Sequence, residues 1–368
     1  MARVRKNMMM ASAAFVAMLV FSVALVAGFF GTLHPAFDSF AHFRVHLAVL
    51  MALCALPLLA TSFRLQGATA LLFAVAAFAT TSNALSVPRL WPVQAAYDAE
   101  AGDQAVYPGD QAVYPGDQAV YPGDHAVYRL LQMNLRFNNP TPEKVLSLIG
   151  RTQPDVITLN EVSNMWKAKL GHLASAYPHR ILCPYPNGVF GVALLSRRPF
   201  AAGTQPRCDG RGAMAIATVD FGGIDVDVAA MHLTWPWPRN QSQQIGGLSG
   251  EFASLGETSI MACDCNAVPW SAAVRRVAGL GKLTVAPSPG PTWLYIELPD
   301  FLRFAGLPID QVFSKGAVLI HSVSRLEDTG SDHLPLMVEF SLRPEQKKPV
   351  DEHETATASV RQDGRTRS

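Results

Sequence analysis

Hydrophobic and polar residues follow two different regimes along this chain. Up to about residue 91 the apolar positions form long runs. Residues 8–32 carry no ionisable side chain, 45–63 have His46 as their one basic or acidic side chain, and 65–88 are again uncharged. About 20 consecutive apolar residues cross the hydrocarbon core of a bilayer. The pattern therefore predicts three transmembrane helices, at about 8–31, 45–63 and 65–87, which makes residues 1–91 a membrane anchor. A cleaved signal peptide is disfavoured by the length of the first run and by the two similar runs behind it.

Residues 92–127 read as a linker. The heptapeptide Asp103-Gln104-Ala105-Val106-Tyr107-Pro108-Gly109 recurs at 110 and 117 and decays at 124. A seven-residue period invites a coiled coil, but the Pro-Gly-Asp closing each copy would break a helix every two turns. An extended spacer is expected. From residue 128 the runs shorten. Strands are predicted at 129–135, 155–160, 180–183, 189–196, 213–220, 226–233, 258–263, 311–313, 317–323 and 334–342. Helices are predicted at 142–151, 241–255 and shortly after Pro269. Many strands with a few interleaved helices argue for a mixed α/β sandwich over residues 128–342. Residues 343–368 are polar and charged, and are expected to be a disordered tail.

Charge sharpens this division. The 30 Lys and Arg nearly balance the 29 Asp and Glu, which gives no sign of a polyanionic partner. Arg3, Arg5, Lys6 and Arg64 lie on one side of the predicted spans against Arg44 and Arg89 on the other. The positive-inside bias then puts the N-terminus in the cytoplasm and the globular domain outside it, at an inner or cytoplasmic membrane. In that compartment Cys183 and Cys208 are candidates for a disulfide. Cys263 and Cys265 lack the spacing and partner ligands of a zinc site.

Chemistry-bearing residues collect at the ends of predicted strands or just past them: Asn134, Glu161, His232, Asp264, Asn266, Asp310 and the pair Asp332-His333. Each alone has an ordinary explanation, such as a turn or helix cap for Asn134 or Asp264 and a packed core imidazole for His232. Their order is more specific. Asn134, Asn160-Glu161, Asp264-Cys265-Asn266, Ile309-Asp310 and Ser331-Asp332-His333-Leu334-Pro335 resemble the endonuclease/exonuclease/phosphatase superfamily, of deoxyribonuclease I-like fold. Leu194-Leu195-Ser196-Arg197 is also similar to the family's pattern, and the anchor resembles a bacterial membrane-tethered branch. The departure is at Asp264, where cysteines stand in place of the usual preceding glycine and following apolar residue.

The resemblance implies a four-layer sandwich flanked by helices and a Mg²⁺-dependent phosphoesterase, with Mn²⁺ as a substitute. Glu161, an oxygen donor suited to Mg²⁺, would be the metal ligand, with Asn134 and Asp332 completing or supporting that site. Asp264 would orient or deprotonate the attacking water, and Asn266 would donate to a phosphate oxygen. His333, held by Asp310, would act as acid/base or electrophile, and His232 would contact phosphate. Whether Asp264 or His333 removes the proton stays open. Residues 128–342 hold 18 Lys and Arg against 17 Asp and Glu, without the basic footprint of a duplex binder. The anchor hints instead at a lipid-linked phosphate or pyrophosphate. The aromatics Trp235, Trp237, Trp293, Tyr295, Phe301 and Phe304 suit an interface between apolar and aqueous phases and the packing of loops equally. A nuclease and a non-catalytic tethered binding module are the competing readings.

Overall fold

The computed structural model describes residues 2–82 and 126–343. Most of the expected linker, and the tail beyond 343, lie outside them. The helical part is α1 (Ala2–Ala27), α2 (Pro35–His42), α3 (Arg44–Leu58) and α4 (Arg64–Ser82). The globular part runs β1 (Tyr128–Asn134), α5 (Pro142–Thr152), β2 (Val156–Val162), α6 (Asn164–Leu170), β3 (His179–Cys183), β4 (Gly191–Ser196), β5 (Arg207–Asp209), β6 (Met214–Asp220) and β7 (Asp225–His232). It continues through α7 (Gln241–Gly247), α8 (Ser249–Ala253), β8 (Ser259–Asp264), α9 (Ala272–Gly281), β9 (Thr284–Val285), β10 (Asp310–Lys315), β11 (Val318–Arg325) and β12 (Leu336–Leu342).

Two six-stranded sheets form, ordered β11-β12-β1-β2-β4-β3 and β5-β6-β7-β8-β10-β9. Three apolar layers hold them. Leu130, Val156, Leu194, Val228, Ile260, Ala262 and Val312 fill the space between the sheets. Leu131, Met133, Ile157 and Leu159 pack outward against α5 and α6 through Val145, Leu148 and Trp166. Met231, Met261 and Phe313 pack outward against α7, α8 and α9 through Ile245, Phe252 and Val277. The result is a helix–sheet–sheet–helix sandwich, because alternate residues of each strand face opposite cores. The predicted 241–255 helix is divided at Leu248 into α7 and α8. The very short β5 and β9, and the helix α6, had no clear sequence signal.

The expectation of three membrane spans is corrected. Among the described residues, one helix by itself is long and apolar enough to cross a membrane: Arg5–Ala27, 23 residues. The second apolar run does not make a straight span. α3 has 15 residues, and it meets α2 at 67°, so the two qualify only as one bent pair. The third run, α4, has 19 residues but opens on Arg64 and Gln66 and closes on Thr80, Thr81 and Ser82. Apolar runs in sequence thus overstate the apolar helix that forms. α1, α3 and α4 pack through Met18, Leu25, Met51, Ala55, Leu58, Ala74 and Ala77.

The short α2 docks on the sandwich. Both Asp38 carboxylate oxygens accept backbone hydrogen bonds from the start of α9, Ala272 N at 2.7 Å and Ala273 N at 2.9 Å. Ser271 Oγ takes the next free donor, Val274 N, at 3.1 Å. The first turn of a helix leaves such N–H groups without intrahelical partners and attracts negative charge, so Asp38 caps α9 from far away in sequence. Trp270 Nε1 donates to the Ala41 carbonyl at 2.7 Å, and the His42 ring bridges the carbonyls of Asp38 and Asn266. Asp38→Ala should destabilise the full chain by about 0.5–2 kcal/mol, the usual worth of an N-terminal cap. Asp38→Asn, which keeps an acceptor, should lose less; thermal melts of the purified full chain measure both.

Candidate active site

Period-two alternation carries straight from the sandwich core into a polar cluster. The inward row of β1 reads Leu130, Gln132, Asn134, and that of β2 reads Val156, Thr158, Asn160. In β7 the row is Val228, Ala230, His232, and in β8 it is Ile260, Ala262, Asp264. Each inward row is apolar at its start and polar or ionisable at its C-terminal end. Strand register then aligns those ends. Asn134 lies opposite Asn160 in the parallel β1–β2 pair, and His232 opposite Asp264 in the parallel β7–β8 pair. Asp310 lies opposite Asp264 in the antiparallel β8–β10 pair.

Asp264 is the hub. Its Oδ2 accepts from Asn134 Nδ2 at 2.8 Å and lies 3.4 Å from His232 Nε2 and 3.6 Å from His333 Nε2. Its Oδ1 accepts from Asn266 N at 3.0 Å. His333 Nδ1 is 2.8 Å from Asp310 Oδ2, and Gln132 Nε2 donates to both Asp310 Oδ1 and Asn160 Oδ1 at 3.0 Å. Asp264, Asp310 and His333 are at most 4% exposed. Glu161 is half-buried at the rim, its Oε1 accepting from Asn134 Nδ2 at 3.1 Å and its Oε2 from Phe137 N at 2.9 Å. It follows inward-facing Asn160 yet also reaches the site, because the β2–β4 register is irregular there and Glu161 has φ +57°. Asn266 has φ +45° as well. Left-handed backbone at non-glycine residues is strained, and such strain gathers at functional sites.

Charge in this cluster is set by mutual neutralisation. Burial alone would raise the Asp264 carboxyl, but His333, His232 and the Asn134 amide bring it down to about 2. Burial alone would lower His333, but Asp310 and Asp264 raise it to about 10. His232 is likewise lowered by burial and raised more strongly by Asp264. Burial pushes the Asp310 carboxyl up, and the His333 imidazolium opposes that. At neutral pH the cluster holds carboxylate Asp264 beside a protonated His333, with the His232 ring on its other side.

The residues expected from sequence fall into two groups. Asn134, Glu161, His232, Asp264, Asp310 and His333 form one connected array. The ligand atoms of Glu161, His232 and Asp264 lie within 4.8 Å of one another, as do those of Asp264, Asp310 and His333. Asp332 is outside both sets: its Oδ2 accepts from Trp293 Nε1 at 3.1 Å on the rim. Asn266 donates one Nδ2 hydrogen to the Leu233 carbonyl at 2.8 Å, while its buried Oδ1 has no hydrogen-bond partner among the described residues. Gln132 was not singled out from sequence, though its place two residues before Asn134 puts it on the same inward row. Trp293 was noted only as an aromatic. Asp38 and His42, which brace this edge of the sandwich, carried no local signal. Cys183–Cys208 is bonded, with Cα atoms 5.4 Å apart, and Cys263 pairs with Cys265 around Asp264.

The fold and this cluster define a sandwich phosphoesterase, and a family model agrees. The model described as Endonuclease/Exonuclease/phosphatase family matches residues 131–333, more than half of the chain. The chain belongs to that family and is a metal-dependent phosphoric ester hydrolase. No curated protein sequence matches it significantly. Among solved structures it is similar to an endonuclease/exonuclease/phosphatase from Bacteroides vulgatus, with 15% identity and TM-score 0.50, over 59% of this chain and 99% of that one. It is also similar to an endonuclease/exonuclease/phosphatase from Beutenbergia cavernae DSM 12333 (22% identity, TM-score 0.46, 59% and 72% covered). A third is a variant of the 3′ phosphatase NExo from Neisseria, bound to a product DNA hairpin (19% identity, TM-score 0.44, 58% and 99% covered).

Asp310→Asn removes an anion beside His333, so the raised imidazole pKa must fall. The alkaline limb of the pH–rate profile, expected near 10 when His333 acts in its protonated form, should shift toward lower pH in this variant. A pH titration of kcat/KM checks both the position and the direction.

Proposed function

We propose that this chain is a membrane-anchored, Mg²⁺-dependent phosphoesterase that hydrolyses a lipid-linked phosphate ester or pyrophosphate by attack of water. The observation that carries the reading is one buried carboxylate, Asp264, set between the imidazoles of His232 and His333 with Glu161 beside it. A phosphate ester is an anion attacked by water, and it needs positive donors around its oxygens together with an acceptor for the water proton.

The donor set fits a hard cation. Each Glu161 oxygen accepts one hydrogen bond and keeps lone pairs free, and Mg²⁺ is satisfied by one or two carboxylates and several waters. Glu161 would hold it. Asn134 would act as a support, because its Nδ2 donates to Glu161 and Asp264 and its Oδ1 accepts from Arg136 N at 2.8 Å. Asp332, held by Trp293, would support the site from the rim. A bound divalent cation would supply neutralisation of the phosphoryl charge.

The remaining work is done by side chains of the cluster. Asp264 Oδ2, ionised above about pH 2, orients the water and takes its proton. His333 Nε2 is aimed by the Asp310 bond at Nδ1 and is protonated at neutral pH. It therefore donates to the phosphoryl group or the leaving oxygen and does not serve as the initial base. His232 stands beside it as a second donor. The second Nδ2 hydrogen of Asn266 remains for a phosphate oxygen. A lipid-borne substrate is supported by α2, which ties the apolar helices to the edge of the sandwich that carries the site. His42 Nε2 lies 3.2 Å from the carbonyl of Asn266 itself.

Purified full-length protein assayed with Mg²⁺ against phosphatidic acid, an isoprenyl pyrophosphate, single-stranded DNA and RNA tests the proposal. Lipid-linked substrates should turn over fastest. Asp264→Ala and His333→Ala should each lower kcat by about 10²–10⁴-fold, as loss of a proton-transfer group does. Preferential cleavage of DNA or RNA would establish a nuclease in its place, and no hydrolysis of any ester a tethered binding module. For topology, a C-terminal reporter active only in the cytoplasm should stay silent; signal from it would put the domain inside.

A further inference from the structure

The wall of the site between residues 293 and 306 carries the two most exposed large apolar side chains among the described residues of the sandwich. Phe301 and Phe304 are 74% and 76% exposed, and Tyr295, Ile296 and Leu298 are about half exposed. Trp235 and Trp237, also exposed, stand nearby, with Trp235 packed edge-on against Trp293 at 5.1 Å. Isolated exposed apolar residues are ordinary on a protein surface, but a contiguous patch marks an interaction site.

Two sets of contacts say what covers this patch. The first ties it to the catalytic cluster. Trp293 Nε1 donates to Asp332 Oδ2, Trp293 bridges His333 along the backbone, and Arg303 Nη1 donates to the Asp332 carbonyl at 3.1 Å. The patch is thus a lip of the active site. The second set ties it to the apolar helices. His46 Nε2, in the first turn of α3, is 2.7 Å from the Ala305 carbonyl, next to Phe304. Ser39 Oγ of α2 donates to the Trp237 carbonyl at 3.0 Å. Ala41 and Val45 share one small core with Trp293, Leu307 and Ile309. Beyond His46, α3 presents Val49, Leu50, Leu53 and Leu56 outward, each at least 42% exposed. These contacts set the lip beside the end of α3 from which that exposed apolar face begins. The lip also carries the exposed acid Asp300, ion-paired to Arg303 at 3.2 Å, so its tip suits a boundary between apolar and aqueous phases more than a dry interior.

We infer that the lip formed by residues 295–304 is a bilayer-docking surface, seating Phe301 and Phe304 among the lipid headgroups and opening the active site along the membrane plane. The inference rests on the membrane-anchored reading of the chain, and it adds where the catalytic domain touches the lipid. The Asp38, His42 and His46 contacts fix the sandwich against the helices, so docking needs no hinge. A substrate headgroup then enters past Trp235, Trp237 and Phe304 from the bilayer surface.

The test reads position and is blind to hydrolysis, so it separates this inference from the choice of substrate. Full-length protein carrying Cys54→Ser receives Phe301→Cys, Phe304→Cys, Val23→Cys or Glu257→Cys, each labelled with an environment-sensitive fluorophore. The variants are reconstituted in phosphatidylcholine–phosphatidylglycerol vesicles containing a shallow nitroxide lipid. Val23 is 70% exposed on α1 and reports the anchor. Glu257 has a 97% exposed side chain just before β8, at the end of that strand away from Asp264, and reports solvent. Labels at 301 and 304 should be quenched severalfold more than at 257, alongside the label at 23. Quenching at 23 with 301 and 304 matching 257 would overturn the docking surface while leaving the anchor. Quenching at none of the four would overturn both. Because 301 and 304 are three-quarters exposed, labelling them leaves the fold intact.

Discussion

The pairing of Asp264 with His232 and His333, and of His333 with Asp310, is the constraint on which the rest of the site depends. All four groups are nearly enclosed, and an isolated charge at such depth is strongly disfavoured. The Asp264 carboxylate therefore needs the His333 imidazolium at near-contact distance, and that imidazolium needs Asp264 and Asp310 beside it. Removing either partner of the Asp264–His333 pair leaves the other buried charge less compensated. The same mutual neutralisation keeps Asp264 a carboxylate and His333 protonated at neutral pH.

The sandwich supplies that geometry through strand register. Inward-facing rows that are apolar between the sheets turn polar at their C-terminal ends, so one alternation builds both the core and the site. Gln132 and Asn160 stitch the two sheets together at this boundary, through Asp310 and through the backbone of Met231 and Asp264. Where alternation would point a needed group the wrong way, the backbone is forced. Glu161 reaches the rim by adopting positive φ at a break in pairing, and Asn266 turns sharply behind Asp264. The bonded Cys263 and Cys265 hold the backbone on either side of that acid, where the family pattern has a glycine before it.

The helical part is joined to the catalytic sandwich by specific polar contacts. Asp38 satisfies two free donors at the start of α9, Trp270 reaches back to Ala41, and His42 sits between Asp38 and Asn266. Backbone groups that would otherwise face a cavity are thereby paired, and the edge of the active site gains a brace from outside the matched family segment.

Much of this protein was legible in its sequence, for a physical reason. Strands and helices are written in local periodicity, so the principal strands of both sheets, and Asn134, Glu161, His232, Asp264, Asp310 and His333 at or beside strand ends, could be read before any fold was known. Gln132 was equally readable, two residues before Asn134, once the inward row was followed. Hydropathy alone counted three spans, yet the chain forms one long apolar helix, a pair bent by 67° and a shorter helix with polar ends. Run length in sequence does not say where a helix starts, breaks or ends. Only the tertiary structure decided that Asp38 caps α9, that His42 reaches Asn266, that Asp332 turns to Trp293, and that Cys263 bonds Cys265. Apart from the cysteine pair, these contacts join residues far apart in sequence, and all depend on distances and directions that no local pattern encodes. Composition and periodicity specify which surfaces must be buried; register and docking specify which atoms then meet.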